Sequence, residues 1–372
     1  MTGLPDAYLE QFSEPGGYLE FASTGPPSRR VQEAVAAALG AVASPAGSAW
    51  EEVAGSYAAA LAAAARLLAV DPRQVTPVPS TSAGLFQVAF GLIGRVGNVV
   101  VPSHEFPANL YPWLRAAAAG GPEVRLVDCP DGRVTPERLA GAVDRHTLAV
   151  AVSLVDFVTG FRVDVPGLRG ACGPALLVID AIQGLGAVET ALAPADVLVA
   201  GGQKWMRAGW GAGVMAAGER ARERLAPTLT GWWGVQGFLD FGQAPPHLPR
   251  EGADRFQEGS PPYVGAIQMG AAAEVIEMAG IGAIEAVIRA RVAALEEEIR
   301  RAGAEVLAPW RDPAERAGIL CFRLPGEDPA ETVARLGKDG LVVSHRSGWV
   351  RVAPHASTPV ETAARLGEAL AR

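Results

Sequence analysis

Short apolar runs of strand length alternate with alanine-rich segments of helical pattern up to about residue 220. This alternation predicts parallel strands connected by helical crossovers. The predicted strands are residues 98–101, 124–127, 148–152, 176–179 and 197–200. The predicted helices are residues 30–39, 51–68, 83–92, 110–118 and 136–142. Because the strands are apolar on both faces, we expect an α/β fold with a mostly parallel sheet covered by helices.

The pattern changes in the last third of the chain. Residues 227–262 are rich in glycine, proline and tryptophan, and a loop of this length is usually functional or lies at an interface. A long helical pattern follows at 266–301. Shorter strand-like and helical runs then follow at 318–324, 328–336, 341–344 and 349–353. We expect three parts, which are an N-terminal arm (1–20) packed with the small domain, a large domain (21–262) and a smaller α+β domain (263–372).

Composition and charge exclude several classes of protein. The chain has 372 residues, 49% of them hydrophobic and 19% charged, which is typical of a folded protein. The net charge of -8 argues against a nucleic-acid partner, which requires a basic surface. No apolar run reaches the ~18 residues of a membrane span, and the N-terminus lacks a secretory signal pattern. The three scattered cysteines fit neither a disulfide framework nor a metal site, so we expect a cytoplasmic protein without a metal.

Two charged residues follow neighbouring predicted strands. Asp180 comes directly after the strand at 176–179, and Lys204 comes shortly after the strand at 197–200. The carboxyl ends of parallel strands form the edge where ligands bind in open α/β sheets. The chain has only two lysines, and Lys338 lies in a glycine-flanked turn pattern. Lys204 is therefore the candidate for chemistry that requires a primary amine.

An aspartate and a lysine at neighbouring strand ends suit pyridoxal 5'-phosphate. The lysine amine condenses with the cofactor's aldehyde, and the carboxylate keeps the pyridine nitrogen protonated so that the ring can accept electrons. Residues 80–84 precede a predicted helix and offer hydroxyl and backbone N–H groups to a phosphate, with Thr81 and Ser82 as candidate ligands. These residues predict pyridoxal phosphate as the cofactor.

Several motifs carry a family resemblance that extends over nearly the whole chain, and the first, residues 18–26, resembles an opening strand and turn near the active site. Gln203-Lys204-Trp205 resembles a His-Lys-Trp Schiff-base signature, and the segment 105–113 resembles one whose aromatic ring stacks on the cofactor. The family is the class V aminotransferases of fold-type-I pyridoxal phosphate enzymes, which include cysteine desulfurases, kynureninase and isopenicillin-epimerase-like proteins. The resemblance implies that Lys204 binds the cofactor, that Gln203 contacts it and that Phe106 stacks on it.

The resemblance implies roles for four more residues. Asp180 would partner the pyridine nitrogen, and Gln183 would contact the ring hydroxyl. Ser260 ends a segment similar to one that reaches the partner's cofactor phosphate in family dimers, which implies a homodimer. Arg351 lies on a strand similar to the one whose arginine binds the substrate's α-carboxylate, and a planar guanidinium suits that task.

The chain also departs from the family pattern. Gln203 replaces the histidine of the desulfurases, Phe157 stands where several members have an asparagine, and Gly201 stands where a phosphate-binding Ser or Thr is common. Desulfurases need a thiolate on a mobile loop, but residues 324–350 contain no cysteine. Cys321 lies in an apolar run, where we expect a buried, inert thiol.

The resemblance leaves the reaction type open. Our first expectation is an aminotransferase-like or β-eliminating enzyme of the C-S lyase type that acts on the α-amine of an amino acid. In it, Lys204 serves as the general base and Asp180 stabilises charge on the cofactor ring. One alternative is an epimerase or cyclase of the isopenicillin-epimerase-like branch. The other is a degenerate family member that binds pyridoxal phosphate without catalysis.

Overall fold

The structure, a computed structural model, describes residues 3–43, 49–189, 193–240, 242, 246–307 and 312–372. The helices of the described residues are α1 (Asp6–Leu9), α2 (Arg29–Ala43), α3 (Ala49–Leu67), α4 (Thr81–Phe90), α5 (Tyr111–Ala118), α6 (Pro136–Ala140), α7 (Val165–Ala171), α8 (Glu219–Arg224), α9 (Tyr263–Ala279), α10 (Ile281–Arg301), α11 (Pro329–Lys338) and α12 (Thr362–Leu370). The strands are β1 (Val75–Pro77), β2 (Asn98–Pro102), β3 (Glu123–Val127), β4 (Thr147–Ser153), β5 (Leu176–Asp180), β6 (Val197–Gly201), β7 (Gly213–Ala217), β8 (Glu305–Val306), β9 (Leu320–Arg323), β10 (Ser344–Arg346) and β11 (Trp349–Val352).

The larger sheet has seven strands in the order β1-β7-β6-β5-β4-β2-β3. The pairs from β6 to β3 are parallel, whereas β7 runs antiparallel to both β6 and β1. The five strands predicted from apolar runs are all present in the parallel part of this sheet. The prediction of a mostly parallel α/β sheet is confirmed.

The strands of the sheet centre are buried on both faces. In β5, Leu177 and Ile179 belong to one hydrophobic core, and Leu176 and Val178 belong to a second core on the opposite face. Side chains of a strand alternate between the two faces, so a strand covered by helices on both sides must be apolar throughout. This is why the strands appear as continuous apolar runs in the sequence.

The smaller sheet is antiparallel, with the strand order β10-β11-β9-β8, and α10, α11 and α12 pack near it. The N-terminal segment adds to this part of the molecule. Leu19 N–H donates to Val342 O at 2.9 Å, and Leu19 O accepts from Ala353 N–H at 2.7 Å. The prediction of a smaller α+β part is confirmed, whereas the exact domain boundaries at residues 20 and 262 stay predictions.

The prediction of a single long helix at 266–301 is wrong. The structure has two helices there, α9 and α10, which are separated by Gly280 with a φ of 77°. A positive φ ends a right-handed helix and costs a glycine little. Helix α9 packs against α2, α3 and β7, whereas α10 packs against α12 and the small sheet. The break therefore lets consecutive helices contribute to different layers.

Two further findings concern membranes and metals. Among the described residues, no helix is both long enough and apolar enough to cross a bilayer. In the same part of the chain, no three His, Cys, Asp or Glu side chains lie close enough together to hold a metal ion.

Candidate active site

Asp180 and Lys204 lie at the carboxyl edge of the parallel sheet. Asp180 is the last residue of β5, and β6 ends at Gly201, shortly before Lys204. The two strands are neighbours and run parallel, with Asp180 opposite Val199 in the register. The tertiary structure thus brings together the two residues that the sequence placed at neighbouring strand ends.

The Asp180 carboxylate is only 2% exposed. Its Oδ1 accepts a hydrogen bond from the Ile182 backbone N–H at 3.0 Å. Burial raises the pKa of Asp180 from 3.8 to about 6, and the Ile182 N–H and the charge of Lys204 oppose that rise. A cation bound beside this carboxylate would favour its ionised form.

The Lys204 ammonium lies in a partly buried, cationic environment. Burial lowers the pKa of Lys204 from 10.5 to about 8, and the positive charges of Arg351 and Arg346 lower it too, while Asp180 opposes them. The Nζ atom is 5.5 Å from the centre of the Phe106 ring. A larger fraction of this amine is neutral near pH 7 than of an exposed lysine, and the neutral amine is the nucleophile.

Backbone hydrogen bonds hold the loop that carries Lys204. Gly202 N–H donates to Ala212 O at 2.7 Å, Ala208 N–H to Gly202 O at 2.8 Å, and Arg207 N–H to Lys204 O at 2.9 Å. Arg207 adopts a left-handed conformation with a φ of 56°, which is costly for a non-glycine residue. Such a conformation persists only when its surroundings fix it.

Arg207 is fixed by a buried ion pair with the N-terminal arm. Its guanidinium is 2% exposed and binds Glu14, with Nη1 donating to Oε1 at 2.9 Å. The same nitrogen donates to Ser357 Oγ at 3.1 Å and lies 3.4 Å from His355 Nδ1. The guanidinium carbon is 3.8 Å from the centre of the Phe12 ring. Nothing in the sequence pattern marks Arg207, because its partners are far away in the chain.

A cavity of about 300 Å³ opens beside Lys204. It is lined by Ala22, Ser23, Ser80, Thr81, Ser82, Phe106, Ala108, Phe157, Ile182, Gln183, Gln203, Lys204, Arg346 and Arg351. This volume is at the lower end of the range of small-molecule sites. The structure therefore brings most of the predicted site residues to one pocket, with buried Asp180 close to Lys204.

Thr81 and Ser82 open helix α4 at the edge of this pocket. Ser80 is the N-cap and accepts from Ala83 N–H at 3.2 Å. Thr81 Oγ1 accepts from Gly201 N–H at 2.8 Å, which ties the start of α4 to the end of β6. A helix N-terminus that offers O–H and N–H donors suits an anion such as phosphate.

Gly201 lies against the side chains of Gln203 and Thr81. A Cβ at residue 201 would lie 2.4 Å from Gln203 Oε1 and 3.2 Å from Thr81 Oγ1. The carboxamide of Gln203 ends a flexible side chain and would have to shift to admit a Ser or Thr at this position.

Phe106 and Gln183 contribute a ring and an amide to the pocket. Phe106 is 43% exposed and meets Phe157 edge to face, with the ring centres 5.3 Å apart. A ring face open to the cavity can stack on another ring. Gln183 Nε2 donates to Ala22 O, and its Oε1 accepts from the Trp205 indole, both at 2.9 Å. These bonds orient Gln183 and leave one amide N–H for a ligand.

Arg351 lies on β11 and is 3% exposed. It donates from Nη1 to Phe157 O at 2.9 Å and from Nη2 to Ser23 Oγ at 2.6 Å. Its buried Nε has no hydrogen-bond partner among the described residues. Burial, followed by the charge of Arg346, lowers the pKa of Arg351 to about 10. Its position suits an arginine that binds an anionic group of a ligand in the pocket.

Ser260 does not line the pocket of its own chain. It is exposed and lies just before α9. Its predicted contact with a phosphate would require a second chain. That role stays a prediction.

Three pocket features were missed by sequence reasoning. Ser23 and Arg346 line the pocket, and Glu105, which precedes Phe106 in the chain, is buried and accepts from Ser153 N–H at 2.6 Å. Burial raises the pKa of Glu105 to about 8. The sequence held a signal for two of them. Ser23 lies in the segment 18–26, which resembles the family's strand and turn near the active site, and the Ser-Gly dipeptide after Arg346 is a turn pattern.

Comparison with known proteins identifies one family. Residues 18–366 match the family model "Aminotransferase class-V". An uncharacterized aminotransferase, YcbU, of Bacillus subtilis is 24% identical over 78% of this chain and 76% of its own length. A probable cysteine desulfurase of Methanothermobacter thermautotrophicus is 28% identical over 72% of this chain and 67% of its own length. A kynureninase of Myxococcus xanthus is 25% identical over 78% of this chain and 73% of its own length.

Solved structures show the same fold. The cysteine desulfurase of Thermococcus onnurineus has a TM-score of 0.85 at 22% identity, with 95% of this chain and 93% of that chain covered. The cystine C-S lyase C-DES has a TM-score of 0.87 at 20% identity, with 95% and 97% covered. The chain belongs to the aminotransferase class-V family of pyridoxal phosphate-dependent enzymes, which its motifs predicted.

Proposed function

We propose that this chain is a pyridoxal phosphate-dependent lyase that removes a sulfur-linked β-substituent from an amino acid. The observation that carries the proposal is the pairing of Lys204 and Asp180 at neighbouring strand ends beside a pocket that also contains Arg351. The curated relatives include cysteine desulfurases and a kynureninase, and a solved structure of the same fold is a cystine C-S lyase. These comparisons support amino-acid chemistry.

The pocket fits the cofactor. Its phosphate would be held at the start of α4 by Thr81 and Ser82, and its ring beside Phe106. Asp180 supplies the buried carboxylate for the pyridine nitrogen, with Gln183 and Gln203 as polar neighbours. When bound, pyridoxal phosphate supplies an aldehyde for the substrate amine and a ring that accepts an electron pair.

Each side chain then has a distinct task. The Lys204 amine would hold the cofactor and would also serve as the general base that takes the proton from the substrate's α-carbon. Asp180 stabilises positive charge at the site through its own negative charge. Arg351 holds the α-carboxylate by charge-assisted hydrogen bonds and thereby orients the substrate.

The thiols of the chain favour a lyase over a persulfide-forming desulfurase. Cys321 lies on β9 and donates from Sγ to Val158 O at 2.9 Å. Burial raises the pKa of the Cys321 thiol to about 12, so the nucleophilic thiolate is scarce. The segment 324–350 has no cysteine, and its end forms the tight β10–β11 hairpin. A lyase needs no protein thiol, because sulfur leaves with the electron pair of the carbon–sulfur bond.

We further propose a cytoplasmic homodimer in which Ser260 reaches the partner's cofactor phosphate. Its exposure in the single chain supports a contact made by a second copy. The three cysteines are free and buried, which is compatible with a reducing compartment. The experiment is the mass of the protein in solution, together with cofactor affinity in Ser260→Ala. An entirely monomeric holoenzyme would contradict this part of the proposal.

Product analysis tests the proposed reaction. We expect the holoenzyme to convert S-substituted cysteines and cystine into pyruvate, ammonia and the released sulfur compound. Cys321→Ser should keep this activity within about twofold, because the thiol is buried and unreactive. Alanine as the product, with sulfur bound to the protein, would instead indicate a desulfurase. A keto acid that keeps its sulfur would indicate a transaminase, and racemised substrate would indicate an epimerase.

The pKa of Lys204 predicts how cofactor loading depends on pH. Because the neutral amine attacks the aldehyde, we expect the rate of cofactor uptake by the apoprotein to rise with pH through an inflection near 8. Arg346→Gln should move the inflection upward, since the positive charge of Arg346 lowers the pKa of Lys204. Asp180→Asn should move it downward, since the carboxylate raises that pKa. Rapid-mixing absorbance measures the rate, and an inflection near 10.5, the ordinary value, would contradict the expectation.

A further inference from the structure

The pocket carries an excess of positive charge. Lys204, Arg346 and Arg351 line it, and none of its described lining residues is an acid. Asp180 is buried beside Lys204, and Glu20 lies behind Ser23, whose hydroxyl donates to Glu20 Oε1 at 2.9 Å. Neither carboxylate accepts a hydrogen bond from Arg346 or Arg351 in the described part of the chain, where these arginines donate to Ser23, His345 and Phe157 instead. The pocket is therefore built to receive anionic groups.

Arg346 owes its position to a tight hairpin. It ends β10 and pairs with Trp349 at the start of β11, so that only Ser347 and Gly348 form the turn. Both turn residues have positive φ values, 49° and 80°, as two-residue hairpins with the matching twist require. A short hairpin of this kind has little freedom, and it places Arg346 at the mouth of the pocket.

The two arginines meet at one hydroxyl group. Arg351 Nη2 donates to Ser23 Oγ at 2.6 Å, and Arg346 Nη2 donates to the same oxygen at 3.3 Å. The other terminal nitrogen of Arg346, Nη1, donates to His345 O at 2.7 Å. Arg351 is buried and Arg346 is exposed, so the pair leads from the base of the pocket toward solvent.

This arrangement is unfavourable without a ligand. The charge of Arg346 lowers the pKa values of both Arg351 and Lys204, which is the sign of mutual repulsion. The substrate's α-carboxylate, which the proposed function places on Arg351, relieves only part of this repulsion. A second anion on Arg346 would relieve the rest, and a guanidinium binds a carboxylate in two parallel hydrogen bonds.

We propose that Arg346 determines specificity by binding a second carboxylate, located on the side chain of the substrate. The substrate class is then amino acids whose sulfur-linked β-substituent ends in a carboxylate. This inference rests on the proposed function, because it assigns the α-carboxylate to Arg351. It makes Arg346, rather than the pocket's apolar side chains, the source of discrimination among β-substituents.

The test compares two substrates that differ in one charge. S-carboxymethylcysteine and S-carbamoylmethylcysteine have nearly the same size, and only the first carries the second carboxylate. We expect Arg346→Gln to lower kcat/KM for the acid by about 10- to 100-fold, the usual effect of losing one charge-assisted hydrogen bond. The same change should alter kcat/KM for the amide by no more than about threefold. Arg346→Lys should recover part of the loss, because it keeps the charge but not the planar fork.

Arg323→Gln is the matched control. Arg323 belongs to the same small sheet, but it pairs with Glu305 and lies over the Trp349 ring, outside the pocket. Arg323→Gln should leave the ratio of kcat/KM for the acid to kcat/KM for the amide unchanged. An equal loss for both substrates in Arg346→Gln would overturn the inference, because Arg346 would then serve the α-carboxylate or the fold. Unchanged kcat/KM values for both substrates in Arg346→Gln would overturn it as well.

A binding measurement separates this inference from the proposed function. Adipate and its monoamide, adipamate, have the same number of atoms between their end groups as S-carboxymethylcysteine but lack the amine that chemistry requires. Their affinity for the holoenzyme can therefore be measured by calorimetry without turnover. We expect wild-type protein to bind adipate about 10-fold more tightly than adipamate, and Arg346→Gln to lose that preference. If the protein prefers the dicarboxylate but forms no lyase products, only the proposed reaction is overturned. If it forms lyase products but has no preference for the dicarboxylate, only the role of Arg346 is overturned.

Discussion

Lys204→Ala is expected to abolish covalent attachment of pyridoxal phosphate and to lower turnover by at least about 10²- to 10⁴-fold, the range of a positioned proton-transfer group. The physical reason is that the proposed function gives the Lys204 amine two tasks, attachment of the cofactor and proton transfer at the substrate's α-carbon. Borohydride reduction followed by peptide mass analysis measures the attachment, and product assays measure the turnover. In the wild type, the modified peptide should contain Lys204.

The chain offers an unusually clean control for this experiment. Lys338 is the only other lysine, and it ends α11 on the exposed surface. Lys338→Ala should keep both the cofactor and the activity. Cofactor fixed by reduction in the Lys204→Ala variant, or lost in the Lys338→Ala variant, would contradict the assignment of Lys204.

Glu14→Gln is expected to destabilise the protein by about 3 to 5 kcal/mol, the usual cost of removing one partner of a buried ion pair. The side chains of Arg207 and Glu14 are only 2% and 7% exposed, so the guanidinium would keep its charge without its partner. Urea unfolding measures the free-energy difference. Because Arg207 N–H donates to Lys204 O, we also expect faster hydrogen exchange in the Lys204 loop.

Two controls separate the ion pair from a general effect of the arm. Glu10 is exposed on the same arm, so Glu10→Gln should change stability by no more than about 0.5 kcal/mol. The double variant Glu14→Gln/Arg207→Met should lose less stability than the sum of the losses of the two single variants. Each single variant leaves one buried charge unpaired, whereas the double variant leaves none. Additive losses would show that the two residues act independently.

The sequence predicted the parallel part of the large sheet well because each strand is an apolar run bounded by helices. It did not predict β1 or β7. The first has three residues, and the second, Gly213–Ala217, is rich in small residues that occur as often in helices. Both are antiparallel members that no crossover pattern indicates. Gly280 shows the reverse failure, since the helical periodicity continues on both sides of a break that one backbone angle creates.

Asp180 and Lys204 could be found from the sequence because their positions depend on local rules, namely where an apolar strand ends and which edge of a parallel sheet that end occupies. Thr81 was predicted by another local rule, the N-terminus of a helix, whereas Phe106 and Arg351 were predicted only from the family match. The meeting of Arg346 with Arg351 at Ser23, and the ion pair of Arg207 with Glu14, could be decided only by the tertiary structure. These contacts join segments that are distant in the chain, and their geometry is set by the packing of the arm and the hairpin, which hydrophobic periodicity does not encode.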